Sequence, residues 1–318
     1  MSAPPGSPTP TSGPTARLIR QTVFGLLAAS LSTAAVRAQD LVPGAYAPAP
    51  IGFNVVTVSA NVSGGDIAFD PSLPVEDARA TLGATFLGFA RTLGIAGRYA
   101  NFGVGMPLVF GHLEGRLSGQ FAEATRKGQG DLVARVGINL LGAPAMTPQQ
   151  FAQYRPKTIV GVLASVGVPL GQYNPERFIN IGTNRWSVKT EVGVLHTRGR
   201  WTIEGDFGTS FFADNTNYAG GVTLQQKPIV SAQGHLIYTI RPGLWVAGDG
   251  NFWTGGLVTV DGTQNLEQQR NSRLGFTLAV PIARQQLRIA YSYGAYTTVG
   301  GDFRSVGVSY SYAWAGRP

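Results

Sequence analysis

From about residue 80 to residue 314 the chain alternates, apolar at one position and polar or small at the next. A period of two residues is the signature of an extended strand with one apolar face. The length of the runs is the stronger constraint. Most cover ten to thirteen residues, whereas a strand of a globular protein usually has about five or six and a tilted strand crossing a bilayer about nine to eleven. Twelve runs stand out, at 82–92, 95–105, 115–125, 131–141, 157–168, 184–196, 200–212, 228–240, 243–254, 272–282, 286–297 and 302–314. The expected fold class is therefore all-β, a transmembrane antiparallel β-barrel of about twelve strands. GFNVVTVSAN (52–61) reads as one strand more. Single-chain bacterial barrels have even strand numbers, so fourteen is the alternative.

The stretch NRWSVKTEVGVLHTRGRWTIEGDF (184–207) shows the division of faces. Trp186, Val188, Val192, Val194, Trp201, Ile203 and Phe207 share one face; Lys189, Glu191, Glu204 and Asp206 share the other. In a soluble sandwich the apolar face would be the core. A barrel inverts this, with apolar residues towards lipid and polar ones towards the lumen. No charge falls on the apolar faces of the clearest runs, where a Lys or Arg at mid-bilayer would cost about 2–4 kcal/mol. Trp186, Trp201, Tyr238, Trp245, Trp253, Tyr312 and Trp314 lie at or near strand ends, as interfacial girdles do.

The connections carry the same message. Counted back from the C-terminus, the links Ala283–Gln286, Arg241–Gly243 and Thr197–Arg200 are short, and those at 255–271, 213–227 and 169–183 are long. Short periplasmic turns and long outer loops alternate in this way in barrels. Two links break the rule, the short Val299–Asp302 and the long 142–156, where Thr147 is placed to cap a short helix begun by Pro148.

The N-terminus addresses the chain for export. Residues 2–16 are rich in Pro, Ser and Thr; Arg17 and Arg20 then precede the apolar run VFGLLAASLSTAAV, and Val36-Arg37-Ala38 fits a cleavage site. Residues 1–38 are expected to be a signal peptide with a disordered leader, too short to span a membrane. Residues 39–80 form an N-terminal segment with room for one extra strand, and 81–318 the barrel. Only 13% of the chain is charged, the formal net charge is +8, and there is no cysteine. The basic residues are scattered, so no nucleic-acid partner is expected, and thiol chemistry is excluded.

Four segments carry a family resemblance: 166–193 (VGVPLGQYNPERFINIGTNRWSVKTEVG), 199–215 (GRWTIEGDFGTSFFADN), 237–256 (IYTIRPGLWVAGDGNFWTGG) and 271–282 (NSRLGFTLAVPI). With LLGAPA (140–145) and GGDFRSVGVSYSYAW (300–314), the chain over roughly 80–314 resembles the transporter family named for the MetA-pathway of phenol degradation. The resemblance implies an outer-membrane barrel associated with aromatic catabolism. It carries no catalytic residues.

Interior chemistry falls to a short set of residues. With a turn at Arg198-Gly199, Glu191 would face Asp206, an unfavourable pairing unless a cation such as Lys189 lies near. Arg135, Arg273 and Arg288 are expected on the same inner surface, together with Gln233, His235 and Asp249. These ten residues are the substrate-path candidates; the bland reading is an ion-pair network filling a narrow barrel. The three histidines, at 112, 196 and 235, form no local ligand motif, and no GxSxG or nucleotide loop is present. No metal, cofactor or enzymatic activity is expected. The expected function is passive uptake of small molecules, with lipid as the surrounding partner and the oligomeric state open. The alternative is a non-conducting barrel that serves structure or surface interaction. No plug of convincing length is visible in the sequence.

Overall fold

The computed structural model of the protein describes residues 41–68, 75–117, 119–177, 179–264, 268–283 and 285–316. The signal peptide expected over 1–38 lies outside the described residues. The strands are β1 (Phe53–Ala68), β2 (Val75–Ile95), β3 (Arg98–Leu117), β4 (Gln120–Gln129), β5 (Leu132–Leu141) and β6 (Thr158–Val168), with helix α1 (Pro148–Gln153) between the last two. They continue as β7 (Ser187–Arg198), β8 (Trp201–Phe212), β9 (Asn215–Tyr218), β10 (Val222–Gln226), β11 (Ile229–Arg241) and β12 (Leu244–Gly255). The last are β13 (Val258–Val260), β14 (Thr263–Gln264), β15 (Gln269–Ile282), β16 (Gln285–Thr297) and β17 (Gly300–Ala315).

One antiparallel sheet closes on itself. β1 pairs with β2 on one side and with β17 on the other, in register from Phe53↔Ala315 to Ala68↔Gly300. β3 pairs with β4 from Leu108 upward and with β5 below Gly105. Between them the chain steps over Gly130-Asp131, where the Gly130 amide donates to the Pro107 carbonyl at 2.8 Å. β4 and β5 therefore make one interrupted wall strand, and the closed barrel has twelve. Among the described residues no helix is long and apolar enough to cross a membrane; the crossing is done by strands.

The strand count agrees with expectation, but two memberships change. The run at 115–125 is not a strand of its own. It is the tip of the β3–β4 hairpin, which runs alongside β2 as far as Leu117 and has no further wall strand on its β4 side. Alternation continues through such an overlong strand, so the period alone cannot show where the wall ends. The freed place is taken by β1, which moves the start of the barrel from residue 81 to Phe53.

The faces divide as a membrane barrel requires. Outward side chains such as Ile203 (62% exposed) and Phe276 (50%) form an apolar band. Trp186, Trp201, Tyr312 and Trp314 are exposed near strand ends. Trp245 and Trp253, expected in the girdle, point inward instead. Trp253 is 1% exposed and its indole donates to Gln269 at 3.1 Å; Trp245 lies beneath the Arg288 guanidinium, 5.3 Å from ring centre to Cζ. Both belong to β12 at odd positions, in step with the inward Asp249 and Asn251, and alternation places them indoors.

The two ends of the barrel differ. At one end the turns are tight, and the link from β5 to β6 carries α1. Thr147 caps it reciprocally with Gln150, and Pro148 starts it, so two of the backbone donors that a helix start leaves open are satisfied. At the other end, among the described residues, β9, β10, β13 and β14 form a second, four-stranded sheet over a small core of Tyr218, Leu224, Val258 and Val260. The link 169–186 is tied to the wall by Asp131, whose carboxylate accepts from the Gly171 amide (2.9 Å), the Thr183 amide (2.9 Å) and the Thr183 hydroxyl (2.6 Å). It also covers the open edge of β4: the Gln172 amide donates to the Gln129 carbonyl, and Arg126 donates to the Ile179 carbonyl. An uncovered edge would present unpaired backbone groups.

Candidate functional site

The site is the barrel interior, built by inward positions on consecutive strands. The register puts Glu204 beside His235 and Asp206 beside Gln233 across β8–β11, and His235 beside Asp249 across β11–β12. Arg135 stands opposite Ser165, and Ser165 opposite Lys189. Arg273 and Arg288 follow on β15 and β16. All ten substrate-path candidates thus lie on the inner wall, because each occupies the parity opposite to an outward apolar neighbour.

Within this belt several of the charges have polar partners. Lys189 Nζ lies 2.6 Å from Glu191 Oε1. Asp249 is held between His235 Nδ1 at 2.7 Å and the Thr277 hydroxyl at 2.7 Å. Arg273 donates to the Phe303 carbonyl (2.9 Å) and to the Ser305 (2.9 Å) and Ser292 (3.1 Å) hydroxyls. Arg288 donates to Gln286 at 2.9 Å. Charges removed from water need such partners.

The expected opposition of Glu191 and Asp206 does not occur. The hairpin turn is Gly199-Arg200, with φ +62° at Gly199, so Arg198 pairs with Trp201. Glu191 then faces Gly208, Asp206 faces Gly193, and the two acids are diagonal. Glycine occupies the first turn position because the positive φ is needed there. The shifted register also avoids placing like charges directly opposite.

Residues 41–52 (LVPGAYAPAPIG) supply what the sequence reading missed. This segment crosses the lumen as a strap. Leu41 packs against the bare backbone of Gly275 on β15. The Gly44 and Tyr46 amides donate to the Glu204 carboxylate at 2.6 and 3.3 Å, and Asn139 donates to the Tyr46 carbonyl at 3.0 Å. The Ile51 amide then donates to the Met146 carbonyl and the Gly52 amide to the Thr92 carbonyl, both at 2.9 Å, before β1 begins. The Tyr46 side chain is 2% exposed and packs with Tyr99, Ala143, Ile159, Leu163 and Leu195. A signal existed in the sequence: one aromatic residue among Gly, Ala and Pro, and glycines at inward positions of β6 and β7. Neither feature has a period, so neither registers as an element.

A closed twelve-stranded wall, an apolar outer band and a charged interior define a transmembrane β-barrel of the outer-membrane kind. The fold is shared with an outer membrane channel from Pseudomonas putida F1, at TM-score 0.73 and 19% identity over 86% of this chain and 100% of that one. It is also similar to the transport unit of the autotransporter AIDA-I from Escherichia coli, at TM-score 0.52 and 8% identity over 92% and 98% of the two chains. No curated protein matches. Residues 53–312 match the family described as "Putative MetA-pathway of phenol degradation", and the chain belongs to it.

Proposed function

We propose that the protein is a passive outer-membrane channel for small molecules, with aromatic or other hydrophobic catabolic compounds as its cargo, and that it performs no chemistry on them. The observation that carries this reading is a polar interior in a barrel of twelve strands. About eight strands give an interior that side chains can fill, and wider barrels enclose ligand space or a channel. Here the inner wall is lined with charged and polar side chains, and one short strap crosses it. The phenol-degradation association of the family and the likeness to the Pseudomonas putida outer membrane channel support the same reading.

The ten candidates Arg135, Lys189, Glu191, Glu204, Asp206, Gln233, His235, Asp249, Arg273 and Arg288 line the path in this proposal. Purified protein in planar bilayers should conduct, and the Glu191→Gln, Asp206→Asn double variant should shift its ion selectivity towards anions. Unchanged selectivity would reduce the belt to an ion-pair network. The strap favours a second reading, a sealed barrel. Zero conductance from protein lacking residues 41–51 would establish that one instead.

A further inference from the structure

Tyr46 sits where a barrel wall normally projects side chains, and here the wall has none. Gly161 and Gly193 are direct partners across β6–β7. A Cβ on Gly161 would lie 2.6 Å from Tyr46 Cδ1 and 3.2 Å from Cε1, and a Cβ on Gly193 would overlap Cε2 and Cζ. The ring therefore rests on bare backbone of two adjacent strands. Its surroundings are apolar: Tyr99, Ile159, Leu163 and Leu195. The hydroxyl is different. It is buried with no hydrogen-bond partner among the described residues. Asp206, Glu191 and Glu204 act on it from one side of the charge balance and Arg135 from the other. Burial first, and then the nearby carboxylates, push its pKa well above the usual tyrosine range, so the seat holds a neutral phenol.

The occupant is not part of the wall. It belongs to a strap held by two backbone N–H groups that donate to the Glu204 carboxylate and by the Tyr46 carbonyl, which accepts from the Asn139 side chain. Those bonds place the ring without joining it covalently to its floor. We propose that the Gly161–Gly193 floor is a binding subsite for a small neutral phenol or similar single ring, and that Tyr46 occupies it in the resting barrel as an internal competitor. The proposal rests on reading the barrel as a channel and assigns a place in the lumen to its cargo. The carboxylates around the hydroxyl end select against aromatic acids, whose charge would meet Glu191, Glu204 and Asp206.

The affinity of a covered site falls by the fraction of time that it is free. If Tyr46 covers the floor about nine-tenths of the time, removing its ring tightens binding about tenfold. The probe is p-cresol, which is the tyrosine side chain capped by hydrogen. Calorimetry on detergent-purified barrel, checked for folding by heat-modifiable gel migration, should show Tyr46→Ala binding p-cresol about tenfold more tightly than wild type. Adding Gly193→Val should abolish that binding, and benzoate should bind more weakly than p-cresol. Equal p-cresol affinity in wild type and Tyr46→Ala, binding that survives Gly193→Val, or benzoate binding as tightly would each overturn the subsite.

If Tyr46→Ala does not fold, Ala45→Cys in this cysteine-free chain gives a second measurement. p-Cresol should speed maleimide labelling of the strap as it displaces Tyr46, and an unchanged rate would overturn the proposal. The channel reading is tested separately. Conductance without p-cresol binding removes the subsite and keeps the channel; p-cresol binding without conductance in any variant keeps the subsite and removes the channel.

Discussion

Glu204 is 1% exposed, and its carboxylate holds the strap by two backbone amides. A buried carboxylate persists only with such donors, and charge-assisted bonds of this kind are about twice as strong as neutral ones. Glu204→Ala leaves the Gly44 and Tyr46 amides without their acceptor, at about 1–3 kcal/mol. Denaturant unfolding in lipid vesicles should show that loss, and planar-bilayer current should rise as the strap loosens. Asp249→Ala should cost a similar amount, about 1–3 kcal/mol, because it strips partners from both His235 and Thr277. The inward parity of Glu204 and Asp249 was legible from alternation, since the strand period is two whatever the partner strand. The bond from Gly44 to Glu204 was not, because 160 residues separate its ends and nothing local encodes it.

Individual strands add a second kind of prediction. Val192 lies mid-strand on the outward face of β7 between the inward Glu191 and Gly193. Val192→Arg should destabilise the barrel by about 2–4 kcal/mol in vesicles, whereas Gln233→Arg on the inner face should not carry that cost. Unfolding titrations of the two variants compare them directly. The outer link 169–186 depends on three hydrogen bonds to Asp131. Asp131→Ala should free it, and trypsin should then cut after the exposed Arg177 faster than in wild type. Helix α1 was readable to the residue, because Thr147, Pro148 and Gln150 satisfy the helix start locally. The β3–β4 hairpin was not. Its alternation is as regular as that of any wall strand, and only the missing second partner of β4 shows that its tip is an edge of the wall.

Closure depends on β1. It is the partner of both β2 and β17, and without it two open edges face lipid, where unpaired backbone groups are not tolerated. A mature chain begun at residue 81 should therefore fail to show heat-modifiable migration on gels, while one begun at residue 52 should fold and lack only the strap. Folding of the shorter chain would contradict the β1–β17 seam. Alternation from about residue 80 to residue 314 was sufficient to decide the class, the approximate strand number and which side chains meet lipid or lumen, because each follows from local period and length. Tertiary structure alone decided that β1 belongs to the wall, that the acids at 191 and 206 are diagonal, and that Tyr46 lies on Gly161 and Gly193. Those facts depend on register and on contacts between distant segments, and register is set by the turns and by closure of the whole sheet.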